Sequence, residues 1–202
     1  MITMNEKARE VNAVCVYCAS STKIDSCFVD AACALGKALA GRGINVINGA
    51  GGIGLMRALS DSALAAGGTV TGVIPRFMVE QGWQHDGLTE LIVTADMHER
   101  KRLMASMSDG VIALPGGCGT MEELLEVITW KQLGLYLKPI VVLNTDGFYD
   151  PLLAMLARAV ERHFMREQHR ALWTVAASVD EAVDMLYSTP DWDSNFRKFA
   201  AI

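Results

Sequence analysis

The sequence has no run of apolar residues near the roughly 20 that a helix needs to cross a bilayer. Residues Met1 to Val14 are polar and carry no apolar targeting segment, which predicts a cytoplasmic protein. A basic excess is missing too. Eighteen Lys and Arg stand against 23 Asp and Glu, a formal net charge of −5, and this argues against nucleic acid or an anionic membrane as partner. A mononucleotide can still bind through a few local cations. The five cysteines (Cys15, Cys18, Cys27, Cys33, Cys118) are an odd number without the spacing of a disulfide framework, which fits a reducing compartment. The four histidines (His85, His98, His163, His169) show no metal-ligand spacing, so neither a metal nor a cofactor is expected. Repeats, low-complexity tracts and linkers are also absent. With 51% hydrophobic residues in 202, the chain reads as one globular domain over residues 1–202, its core about 11–187, with a polar N-terminal extension and a tail from Pro190.

Against these absences stands one concentrated feature. Val111 to Leu114 is a short apolar run suited to a buried parallel strand, broken by Pro115, Gly116, Gly117 and Gly119. Leu124, Leu125, Val127 and Ile128 then give the apolar face of a helix. Strand, glycine loop and helix start together aim unpaired N–H groups and a positive dipole end at one point, which suits a phosphate. Glu122 and Glu123 sit beside that point. A phosphate cradle gains nothing from added negative charge, so at least one of them addresses something else. Thr120 and Glu123 also have capping-box spacing, which leaves a purely structural role open for Glu123.

Elsewhere strand and helix alternate. Strands are predicted at Val11 to Tyr17, Ile44 to Ile47, Thr69 to Ile74, Leu91 to Thr94, Val111 to Leu114, Pro139 to Leu143 and Leu172 to Val175. Helices are predicted at Asp25 to Ala40, Leu55 to Ala66, Met97 to Met107, from Thr120 onward, Tyr149 to Phe164 and Val179 to Leu186. The pattern predicts an α/β fold, a mostly parallel sheet with helices on both faces. Arg76 to Gly87 shows little periodicity and reads as a mobile polar stretch.

In such a sheet, ligands bind beyond the carboxyl ends of the strands. The first strand is followed by hydroxyls, Ser20 among them. The second is followed by Gly49, Gly51, Gly52 and Gly54. Three of these glycines match G-x-G-x-x-G, but the next strand ends at Ile74-Pro75-Arg76 without the acid of a dinucleotide site. Gly51 and Gly52 read better as a second loop on which a nucleotide lies against the backbone. The fourth strand is followed by Asp96, a candidate N-cap, then Met97-His98-Glu99-Arg100-Lys101-Arg102. Neighbouring cations are about 100° apart on a helix and cannot all face one way. Cys15 and Cys18 form a C-x-x-C, but Cys15 lies within an apolar run, which favours packing over redox or zinc chemistry.

Pro115-Gly116-Gly117-Cys118-Gly119-Thr120-Met121-Glu122-Glu123 matches a PGGxGTxxE signature, and Met97-His98-Glu99-Arg100-Lys101 a second one, of the LONELY GUY family. The resemblance extends over about Val11 to Leu186. Members of that family are cytokinin riboside 5'-monophosphate phosphoribohydrolases, long mislabelled as lysine decarboxylases. It implies a Rossmann-like, doubly wound α/β fold and a homodimer that cleaves the bond between a purine and ribose 5-monophosphate, with Arg100 and Glu123 as the catalytic pair. Lys101, the loop Gly116, Gly117, Cys118, Gly119 and Thr120, and Glu122 and Thr129 would hold the nucleotide, along with Ser20, Gly51, Gly52 and Met97. Family members often carry a glutamate where this chain has Gly82; Glu80 is the nearest substitute. The chemistry agrees, because a carboxylate stabilises an oxocarbenium-like sugar and can activate water. A non-catalytic nucleotide or cofactor carrier on the same fold is the alternative.

Overall fold

The computed structural model describes residues 9–193; residues 1–8 and 194–202, most of the predicted polar extension and the end of the predicted tail, lie outside the described part. Seven strands, β1 (Ala13–Tyr17), β2 (Asn45–Asn48), β3 (Val70–Pro75), β4 (Glu90–Thr94), β5 (Gly110–Ala113), β6 (Ile140–Leu143) and β7 (Thr174–Ala176), form one sheet. Their order is β4-β3-β2-β1-β5-β6-β7 and every pairing is parallel. This is the Rossmann-like doubly wound architecture. The order reverses between β1 and β5, so a crevice opens where the loops after those strands diverge.

The helices are α1 (Ser26–Gly41), α2 (Gly54–Ala65), α3 (Arg76–Val79), α4 (Met97–Ser106), α5 (Cys118–Gln132), α6 (Asp150–Glu161) and α7 (Val179–Ser188). Side chains of a strand alternate between faces, and β1 displays this directly. Val14 and Val16 pack with Leu35 and Leu39 of α1, Leu59 of α2 and Leu186 of α7. Cys15 and Tyr17 pack on the other face with Met104 of α4 and with Leu124 and Val127 of α5. β3, β5 and β6 are buried along their whole length, as expected of parallel strands covered on both sides. Cys15 and Cys18 are free and buried in opposite layers, so they serve packing. No helix among the described residues is long and apolar enough to cross a membrane.

Local departures from expectation have identifiable causes. The helix predicted from Thr120 begins at Cys118, with Gly117 extended as its N-cap and no side chain closing its first turn. Thr120 is therefore the third helical residue and no cap, and the capping box with Glu123 does not form. The predicted Tyr149–Phe164 helix stops at Glu161, because His163 takes a left-handed backbone conformation (φ 64°). A 3-10 segment, Glu167–Leu172, occupies the start of the last predicted strand. The stretch Arg76 to Gly87 holds one helical turn, α3, and then folds back on the loop after β2. Gly51 pairs with Gln84 in an antiparallel bridge, Gly52 N donates to Trp83 O (2.8 Å) and His85 N to Ala50 O (2.8 Å). The His85 ring completes the fastening, bonded to Asp61 at 2.8 Å and accepting from Gly87 N at 2.9 Å.

Candidate active site

A cleft of about 780 Å³ opens at the carboxyl ends of the strands. The loops after β1, β2 and β3 and the starts of α4 and α5 form its walls. This convergence follows from topology, since every strand is parallel and all these loops emerge on one edge of the sheet.

The charged floor begins with α4. Asp96 caps it, accepting from Glu99 N (2.8 Å), while the Glu99 carboxylate accepts from Ala95 N (2.7 Å); the Glu99 amide holds the Asp96 carboxyl below its usual range. The three consecutive cations then part company: Arg100 and Lys101 are buried and Arg102 is exposed. Arg100 donates through Nε to Val73 O (2.9 Å) and through Nη2 to Gly49 O (3.0 Å). Its Nη1 lies 4.0 Å from Glu123 Oε1. A Cβ at residue 49 would collide with the guanidinium, so glycine there is what admits the arginine.

α5 supplies the other half. Its uncapped first turn presents backbone N–H groups at Gly117, Gly119 and Thr120, which line the cleft together with Ser20 and Ser21 from the loop after β1. Unpaired amides at a helix start form an anion site. Lys101 adds no charge to it. Its Nζ lies 2.5 Å from Glu122 Oε1 and 3.1 Å from Glu126 Oε2. Burial alone would lower this ammonium, but the bonds to Glu122 and Glu126 outweigh burial and hold it above its usual range. Glu123 is left with Arg100. Burial pushes its carboxyl up to about 7, Arg100 pulls it down and Glu122 pushes it up. The result is a largely buried carboxyl poised near neutrality in a cleft beside a fixed cation.

Of the residues singled out in the sequence, Ser20, Gly51, Gly52, Met97, Arg100, Gly117, Gly119, Thr120, Glu122 and Glu123 line this cleft. Gly116, Cys118, Lys101 and Thr129 stand outside its lining. Thr129 is exposed and spends its hydroxyl on Leu125 O (2.8 Å), one turn back in its own helix. Glu80 is exposed at the end of α3 and also outside; the acid on that wall is Asp86, near Gly82. Ile53, Met56, Arg57, Met78 and Trp83 line the cleft as well. Met56 and Met78 fall in stretches that share the family resemblance but take no role from it, and the fold-back of Arg76 to Gly87 is what brings Met78 and Trp83 to the cleft.

The doubly wound sheet, with a glycine loop and an anion-receptive helix start at its switch point, defines a Rossmann-like protein with a phosphate-compatible cleft. The family described as "Possible lysine decarboxylase" matches residues 56–186, and the chain belongs to it. Cytokinin riboside 5'-monophosphate phosphoribohydrolase LOG5 of Arabidopsis thaliana is 45% identical over 173 residues, 86% of this chain and 76% of that protein. Cytokinin riboside 5'-monophosphate phosphoribohydrolase LOG of Oryza sativa subsp. japonica is 43% identical over 178 residues, covering 88% and 74% respectively. Among solved structures, the Moco Carrier Protein from Chlamydomonas reinhardtii superposes with a TM-score of 0.65 at 25% identity, covering 87% of this chain and 94% of that one. The molybdenum cofactor binding protein from Rippkaea orientalis gives 0.68 at 22% identity, covering 89% and 97%, and shows the shared fold.

The poised carboxyl has a consequence for stability. Between its ordinary 4.5 and about 7, the folded state keeps a proton on Glu123 that the unfolded chain has lost. Its stabilising contribution is thus complete below pH 4.5 and is lost as the pH rises through 7. Glu123→Gln mimics the protonated form at every pH. Urea unfolding should give equal stabilities for wild type and variant at pH 4.5 and show the variant more stable at pH 8, by up to about 3 kcal/mol. A variant less stable than wild type at pH 8 would mean that the carboxylate holds the fold together.

Proposed function

We propose that the protein hydrolyses the N-glycosidic bond of a purine nucleoside 5'-monophosphate, adenine or its N6-substituted cytokinin form, releasing free base and ribose 5-phosphate. The observation that carries this reading is the largely buried Glu123 carboxyl, 4.0 Å from Arg100 in the same cleft as the open start of α5. The phosphate takes the helix N–H groups and the Ser20 hydroxyl, where the dipole favours its charge. The ribose then lies over Glu122 and Glu123. As the C–N bond lengthens, positive charge grows at the anomeric carbon and the ionised Glu123 stabilises it. A carboxylate of pKa about 7 is also suited to take a proton from attacking water at neutral pH. Arg100, fixed by two backbone carbonyls, keeps a useful fraction of Glu123 ionised. The names of the relatives support the same reaction. A carrier protein needs the glycine loop but gains nothing from a carboxyl held in the cleft beside a guanidinium. For amino-acid decarboxylation a Schiff-base lysine is missing, since no lysine among the described residues lines the cleft.

Pure protein incubated with AMP or isopentenyladenosine 5'-monophosphate should release free base and ribose 5-phosphate, and adenosine should have a far lower kcat/KM. Glu123→Gln should lower kcat about 100-fold or more, the usual loss of an electrostatic transition-state partner. Retention of more than about a third of kcat, a deficit under roughly 1 kcal/mol, removes Glu123 from the chemistry.

We further propose a cytoplasmic, symmetric homodimer. Leu125, Leu133 and Leu135 leave 38, 43 and 66% of their surfaces exposed along α5 and the turn after it, an apolar strip suited to an isologous contact. Light scattering should give twice the chain mass; a fully active monomer contradicts this assembly.

A further inference from the structure

The cleft has a polar end and an apolar end. The helix start, Ser20, Glu122 and Glu123 lie on the β1 and β5 side, with Asp86 the acid of the other wall. On the β3 side stands Trp83, 55% exposed, with Ile53, 56% exposed, and Met56, Met78 and Met97 also on the walls. From β3 to β5 the sheet spans three strand spacings, about 14 Å, the order of the length of a nucleoside monophosphate.

An exposed tryptophan on a loose loop would mean little, but this one stands on a fixed backbone. Trp83 N donates to Met78 O (3.2 Å), its carbonyl accepts from Gly52 N (2.8 Å), and the bridge of Gln84 to Gly51 follows at once. The two segments are pressed together so closely that a Cβ on Gly52 would lie 2.8 Å from Gln84 O. The indole is therefore held at the cleft wall while most of its surface stays in water. A rigid, flat and hydrated apolar face is what a purine ring can cover, because base-on-aromatic stacking removes water from both faces.

We propose that Trp83 is the surface on which the purine base stacks, so that it sets affinity for the base half of the substrate and not for the sugar phosphate. This rests on the nucleotide reading of the cleft given above. It assigns the base to the fold-back segment and the phosphate to the start of α5, at opposite ends of one cleft. Trp83 is a binding residue and takes no part in bond breaking.

The test compares AMP with ribose 5-phosphate, which lacks the base. Intrinsic fluorescence of wild type minus that of Trp83→Phe isolates the Trp83 signal from the other three tryptophans. AMP should quench that signal and ribose 5-phosphate should not. Trp83→Ala should raise the Kd for AMP about tenfold while leaving the inhibition constant of ribose 5-phosphate within twofold, and Trp83→Phe should restore most of the AMP affinity. An unquenched Trp83 signal with AMP, an alanine variant within twofold of wild type for AMP, or equal losses for both ligands would each overturn the assignment. If AMP quenches Trp83 but no ribose 5-phosphate is released by wild type, the hydrolase reading falls and the stacking assignment stands.

Discussion

Burying a guanidinium is costly unless its donors and its charge are both answered. Arg100 is only 6% exposed, and the cleft is arranged around meeting that demand. Val73 O at the end of β3 and Gly49 O after β2 take its Nε and Nη2, and Glu123 on α5, 4.0 Å from Nη1 and partly ionised, supplies part of the counter-charge without offsetting the cost of its own burial. One side chain of α4 thereby ties together elements from both sides of the sheet's reversal point. The glycine at 49 follows from the same demand, since any side chain there would occupy the guanidinium's place.

The same floor sorts acids from cations. Lys101 is adjacent to Arg100 in sequence but about 100° round the helix, and it meets Glu122 and Glu126. That leaves Glu123 with Arg100, 4.0 Å away, as its nearest counter-charge and Lys101 as a weaker one, in a desolvated place. Three carboxylates on one helix thus have different electrostatic lives, and separating them this way yields one acid that titrates near neutrality. Negative charge next to an anion site, puzzling in the bare sequence, is reconciled because Lys101 cancels part of it and Glu123 carries only part of a charge at pH 7.

Much of this was legible from the chain. Short Val- and Ile-rich runs between amphipathic segments gave the parallel sheet, and the glycine loop ahead of α5 gave the phosphate-compatible corner. What escaped depended on long-range geometry. The Thr120 and Glu123 spacing matches a capping box, yet the helix starts two residues earlier because Gly117 can take the N-cap position without a side chain. The family resemblance put Lys101 on the nucleotide, and its pairing with Glu122 and Glu126 depends on a side-chain direction that sequence neighbourhood does not show. The Arg76 to Gly87 segment lacks periodicity because its order comes from backbone bonds to the loop after β2 and from the His85–Asp61 contact, neither of which leaves a pattern in composition. Trp83 and Asp86 reach the cleft by that route.

The central claim is that Glu123 is held near neutrality by its surroundings and works as a carboxylate. It is tested most directly by the pH dependence of kcat/KM for AMP in wild type and in Lys101→Met. Ionisation of the substrate phosphate is common to both enzymes, so any difference between the curves belongs to the protein. Removing the Lys101 charge, which draws the Glu123 pKa down, should move the rising limb from near pH 7 to higher pH. Superimposable limbs, or a wild-type rate that is flat from pH 5 to 9, would contradict the account.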